Sequence, residues 1–230
     1  IRDYYASRGL GDVYKRQAAI YGAFIPNPMH VYRVAGVLSG LGLSYDGATE
    51  EGEVVGKIFT DQSVDLSKIS GDIQIVSYLQ GYGDTTTDEI NAAIQAKPEA
   101  FISVGMATTF FTQQLNAAGI EFSDIDSFTQ SNGEAITNGK LVYLAGKYSS
   151  SVGPAFALVL NAINGNVIRD EQGNAVSLSQ NYQVATDEAT FDEFYKSDNG
   201  DNPIYNKETL DQIIGESVTF DEINELVTLK

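Results

Sequence analysis

Cysteine is absent from the 230 residues, and there is one histidine, His30. The first absence excludes disulfides, thiolate-bound zinc, iron–sulfur clusters and thiol catalysis. The second excludes a histidine-rich metal site. Basic residues are few: 14 Lys and Arg stand against 31 Asp and Glu, a net charge of −17. Such a surface repels phosphate, which argues against nucleic acid or an anionic membrane as the main partner. No apolar run approaches the roughly 18 residues of a membrane-spanning helix. What is present is ordinary for a folded chain: 43% hydrophobic and 20% charged residues. The length suits one domain, or two lobes of about 100 residues each.

The chemistry of familiar enzymes is also missing. No Gly-x-Ser-x-Gly elbow occurs; Lys147 to Gly153 lacks the glycine two places before the serine. There is no Walker loop. Gly81-Tyr82-Gly83-Asp84-Thr85-Thr86 lacks the last glycine of a dinucleotide fingerprint. Asp198-Asn199-Gly200-Asp201-Asn202 hints at a calcium loop but lacks its spaced ligands and closing Glu, so it reads as a turn. In so acidic a chain, paired carboxylates are expected on the solvated surface. His30 lies beside a proline-bounded turn and reads as facing solvent or packing that turn. The expectation is a non-enzyme with no cofactor, no metal site and no catalytic residue.

Periodicity places the elements. Strands are expected at Ala18–Ile25, Ile73–Leu79, Ala100–Val104, Ile125–Phe128, Leu141–Ala145 and Tyr182–Ala185. Helices are expected at Val31–Leu41, Asp88–Ala96, Ala107–Ala118, Gly133–Asn138 and Pro154–Ile163. Thr49 is positioned to cap a further helix whose buried face is Val54, Val55, Ile58 and Phe59, although a strand over 54–59 fits the same residues. Ile90 and Ile94 should point inward. A hairpin is expected over Val167–Val176, then acidic helices at 187–195, 207–214 and 220–228. Strands alternating with helices predict an α/β fold, a parallel sheet covered by helices on both faces.

In such folds ligands bind outside the carboxyl ends of the strands. Five loops fall there, and they are rich in aromatic, amide and hydroxyl groups. That mixture suits a small polar ligand with an apolar face, such as a sugar or nucleoside. The candidate binding residues are Phe24, Asn27, Tyr82, Met106, Gln130, Lys147 and Tyr148. Tyr82 or Tyr148 would stack on a ring face, Asn27 and Gln130 would read hydroxyl or amide groups, and Lys147 would donate to an acceptor.

Residues 1–17 differ from the rest. They carry four basic and two acidic residues, leaving 10 and 29 for the remaining 213. They have no apolar central stretch or small-residue cleavage site, so they are no signal peptide. Asp12-Val13-Tyr14-Lys15-Arg16-Gln17 resembles the translation of a transposon end used in sequencing-library adaptors. The segment is therefore expected to be non-native and to make few packing contacts, on a chain truncated at its N-terminal side.

From about Asp72 to Tyr195 the order of pieces resembles the type I periplasmic binding-protein superfamily. Ile94 to Met106, with Lys97-Pro98-Glu99 before a buried strand, is similar to that family's helix, strand and cleft residue. Phe110 to Ile120, Ile125 to Leu141, and Tyr148 to Gly165 are similar to the pieces that follow. Where many members have an Asp after the Phe128 position, this chain has Thr129-Gln130. The resemblance implies a non-enzymatic solute-binding protein for an ABC importer, extracytoplasmic and lipid-anchored when complete, with the transporter permease as partner. The alternative is the effector-binding sensor domain of a lactose-repressor-type regulator. It also implies mostly the C-terminal lobe of a two-lobed fold. In that layout 18–28 ends the N-terminal lobe and makes the first crossing, and 29–147 is the C-terminal lobe. Residues 148–179 are the return helix and hairpin of the N-terminal lobe, and 180–230 are the third crossing and an acidic tail.

Overall fold

The computed structural model describes residues 16–25, 27–82 and 86–228. The chain divides into two compact units, Ile1–Val104 and Gly105–Lys230. Each is of the α/β kind.

In the first unit, β1 (Arg16–Tyr21) lies between β4 (Ile73–Leu79) and β5 (Ala100–Ser103), parallel to both. Ala18 to Tyr21 are all buried, as a central strand covered on both faces requires. The strand opens at Arg16, two residues earlier than expected, and Gln17 accepts the N–H of Glu99 through its backbone carbonyl. Residues 1–15 of the basic segment lie outside the described residues. Arg16 is exposed and Gln17 half-buried, and both pair in register with β4, opposite Ile73 and Gln74. β1 also stops sooner than expected, at Tyr21, because Ala23 turns the chain with φ 53°.

Helix α1 (Pro28–Gly40) begins three residues before the expected Val31. Asn27 caps it by accepting the Met29 N–H at 3.0 Å, and Pro28 fills the first turn, where no N–H is needed. β2 (Ser44–Tyr45) pairs antiparallel with β3 (Ile69–Ser70). Between them lies α2 (Glu51–Asp61), the helix rather than the strand alternative; Val54, Val55 and Ile58 are buried and Phe59 packs on the core. Glu50, not Thr49, occupies its cap position, without a side-chain bond. α3 (Thr87–Gln95) buries Ile90 and Ala93, with Ile94 half-buried. The core joins β1, α1, α2 and β4 through Ile20, Val34, Leu38, Ile58 and Ile75.

In the second unit, α4 (Ala107–Ala118) matches its expected bounds. Gly119 ends it at φ 71°, with the Ile120 N–H returning to the Leu115 carbonyl. β6 (Glu121–Ser127) and β7 (Leu141–Lys147) are parallel, and β8 (Gln183–Ala185) runs antiparallel to β7. α5 (Gln130–Thr137) starts earlier than Gly133 because Thr129 and Asn132 form a capping box. α6 (Gly153–Ile163), α7 (Glu188–Asn199), α8 (Lys207–Asp211) and α9 (Phe220–Thr228) complete the unit. The expected hairpin at 167–176 reduces to one bridge, Arg169 to Ala175, around a turn held by Asp170. Ala157, Ile213, Ile223 and Val227 form a small core between α6 and the C-terminal helices.

Candidate functional site

The first unit holds a topological switch point. The connection from β1 leads to β4 on one side, and the next leads from β4 to β5 on the other. Connections diverging in this way open a crevice outside the carboxyl ends of β1 and β5. The loop after β1 is built closely. The Gly22 N–H donates to the Leu79 carbonyl, and the Gly81 N–H donates to the Ala23 carbonyl at 2.7 Å. Tyr21 Oη reaches the Gly81 carbonyl at 2.8 Å, which ties the ends of β1 and β4 together. A side chain at Gly22 would overlap the Tyr78 ring.

This loop turns Phe24 outward, leaving it 46% exposed, and its ring centroid lies 6.4 Å from that of Tyr82, itself 43% exposed. The His30 ring meets Tyr82 edge-on at 6.3 Å. His30 is buried, its Nδ1 3.0 Å from both the backbone N and O of Phe24. With the proton on Nε2, Nδ1 accepts the Phe24 N–H. His30 therefore packs the turn, one of its two expected roles. Asn27 is committed to the α1 cap, so its carbonyl holds the loop in shape. Met29 and Tyr32 are also exposed in the early turns of α1.

The other four candidates lie in the second unit. Met106 is exposed at the cap position of α4. Lys147 ends β7, exposed, with Nζ 3.9 Å from Asp126 Oδ1. Asp126, which the sequence reading missed, has φ 117°, a conformation that costs a non-glycine residue about 1–3 kcal/mol. No sequence pattern signals it. Gln130 opens α5, and its amide donates to Glu134 Oε1 at 3.1 Å. Tyr148 is buried: its ring packs against Phe128 at 5.8 Å and Phe194 at 6.2 Å, and burial raises its hydroxyl pKa. Its faces serve the aromatic core that holds α7 in place.

Asp124 carries the main electrostatic feature here. Buried on β6, it accepts the N–H groups of Ala107 and Thr108 at 2.9 and 2.8 Å and that of Ile125 at 3.0 Å. It thereby closes the start of α4, which its own cap residue does not. Burial pushes its carboxyl pKa above the usual range, against the lowering effect of these bonds. The turn at 198–202 is used internally: Asp198 accepts from the backbone N–H and hydroxyl of Ser149.

Phe24 and Tyr82 are thus brought together. Lys147 stands at the carboxyl end of β7, Gln130 just past that of β6 and Met106 at the start of α4, while Tyr148 is withdrawn into the core. No protein-family model matches the chain, and no curated protein matches it.

Proposed function

We propose that this chain belongs to a solute-binding protein of the type I periplasmic kind, which delivers a small polar ligand to an ABC importer. The observation that carries the reading is the Phe24–Tyr82 pair, exposed at strand ends beside a topological switch point. Large rings left in water at such a place suit the apolar face of a sugar, nucleoside or similar molecule, with neighbouring polar groups to orient it. No chemical step is assigned to these residues, which only bind. In the complete protein the chain would supply mostly the C-terminal lobe, exported and lipid-anchored, and residues 1–17 would be adaptor-derived.

A second feature fits this reading. α6 turns Phe156, Val159 and Ile163 to solvent, continuing a stripe from Val152 at its cap, at 55–75% exposure. In the proposed protein a sheet of the N-terminal lobe covers that stripe. The source DNA upstream of codon 18 tests the assignment. A signal peptide with a lipobox cysteine supports it, and a helix-turn-helix replaces it with a regulator's sensor domain. Binding is tested by calorimetry on the chain rejoined to its upstream part, with monosaccharides and nucleosides as probes. Phe24→Ala and Tyr82→Ala should each weaken binding about 5- to 150-fold, the equivalent of about 1–3 kcal/mol for a lost stacking partner. Unchanged affinity in both variants would place the ligand elsewhere.

A further inference from the structure

We propose that the groove between α5 and α7 is a docking site for an arginine-bearing basic segment of a partner protein. The groove is open, with a volume of about 620 Å³, and is lined by Gln130, Gly133 and Glu134 on α5 and by Glu188, Asp192 and Tyr195 on α7. Its floor is aromatic. Phe191 and Tyr195 stack with centroids 5.6 Å apart and planes 24° apart. Gly133 permits this floor, because a β-carbon there would lie 2.6 Å from the Phe191 ring. Phe191 is buried beneath, while Tyr195 remains half-open.

The rim is acidic, and its carboxylates have no paired cation among the described residues. Glu134 bonds the neutral amide of Gln130. Among the described residues, no Lys or Arg lies within ion-pair distance of Glu134, Glu188 or Asp192. Acidic side chains are common on this chain; the ring floor beneath them is what distinguishes this place. A guanidinium group matches both parts. Its face stacks on an aromatic ring, its edge donates to carboxylates, and its methylene stem covers apolar surface. An ammonium group is more strongly hydrated and has no flat face, so lysine should bind less well. The lining along α5 runs from Gln130 to Asn138 at its C-terminal cap. That is about 12 Å at 1.5 Å per residue, room for about four residues of an extended segment. A trough of that length, open along two helices, fits a peptide segment better than an enclosed small molecule.

The test is an NMR titration of the isotope-labelled chain with tetra-arginine peptide at about 0.15 M salt, where long-range attraction is screened. Saturable shifts should be confined to amides of α5 and of α7 from Glu188 to Tyr195, and tetra-lysine should bind several-fold more weakly. Glu134→Gln with Asp192→Asn should weaken binding about tenfold or more, in the range of paired charge-assisted contacts. A matched charge loss at the exposed Glu51 and Glu171 should leave it unchanged. Tyr195→Leu, at constant charge, should weaken binding several-fold, and Tyr195→Phe should restore it. Shifts scattered over the acidic surface would overturn the proposal. So would equal losses from the two charge pairs, or a Tyr195→Leu variant, folded by its spectrum, that binds as before. These outcomes are independent of the small-ligand reading, which rests on the first unit.

Discussion

Replacing Asp124 by Asn removes one of the two acceptor oxygens on which the start of α4 closes. The carboxylate takes the Ala107 and Ile125 N–H groups on Oδ1 and the Thr108 N–H on Oδ2. In its better orientation the Asn amide keeps the first two and turns its NH₂ toward Thr108. That NH₂ can donate to the Thr108 hydroxyl, but the Thr108 N–H, buried with its residue, loses its acceptor. An unsatisfied buried donor costs about 1–3 kcal/mol. Relief from burying a charge offsets part of this, so the net loss should be about 1–2 kcal/mol. For a chain of this length that lowers Tm by about 2–8 °C. The pH dependence follows from the direction of the shift. Burial raises the folded-state pKa of Asp124. Its stabilising contribution is therefore complete below the unfolded aspartate pKa and is lost as pH rises through the folded one. Asn does not titrate, so the gap between the two proteins should be wider near pH ~4 than near pH ~8. Melting followed by far-UV circular dichroism reads both quantities. A variant that melts with the parent would show that the α4 start does not depend on Asp124. A gap that widens with rising pH would show that the hydrogen bonds outweigh burial.

Gly22→Ala would place a β-carbon 1.8 Å from Tyr78 Oη, so it should destabilise by about 1–3 kcal/mol, with partial recovery when Tyr78→Leu is added; urea unfolding of the single and double variants checks this. Asp187 caps α7 by accepting from the Thr190 N–H and hydroxyl, which lowers its pKa. Its contribution is present above the ordinary aspartate range and lost as pH falls through the lower folded value, so the melting curves of the parent and Asp187→Ala should converge on acidification. The stripe on α6 should bind a hydrophobic dye and promote self-association; Phe156→Lys with Val159→Lys should remove both at unchanged Tm, and a strictly monomeric parent that binds no dye would contradict it.

The elements most legible in the sequence are those whose local signals and burial agree. α4 shows this well. Its apolar positions recur at helical spacing, Phe111 and Leu115 are buried, and Gly119 supplies the left-handed residue that ends it. β4 alternates with β-branched residues and lies at one side of its three-strand group. Misplaced boundaries trace to single residues whose effect depends on partners elsewhere. Asn27 and Pro28 start α1 early through a cap, Thr129 and Asn132 do the same for α5, and Ala23 ends β1 through a turn fixed by Gly81. The last two residues of β7 lie beyond the expected strand because Gly146 and Lys147 are poor strand formers. Gly146 is needed there, since a β-carbon would meet the Phe128 ring at 2.4 Å.

The site was legible by position but not by exposure. Placing candidates at strand ends identifies Phe24 and Tyr82 as surely as Tyr148, because all three are aromatic residues in loops after strands. What separates them is whether another element lies on top. α7 covers Tyr148 with Phe194, a contact between residues 46 positions apart that no local pattern encodes. The same helix brings Phe191 and Tyr195 against α5 and so creates the acidic groove, whose two walls are more than 50 positions apart in sequence. Asp124 was hidden for a related reason. The expected strand begins at Ile125, which leaves Asp124 in the loop before it, and its burial makes sense only once the N-terminus of α4 is seen to end on it. Side chains that only pack against their own element could be read from periodicity. Those that join one element to another become visible when the chain has folded.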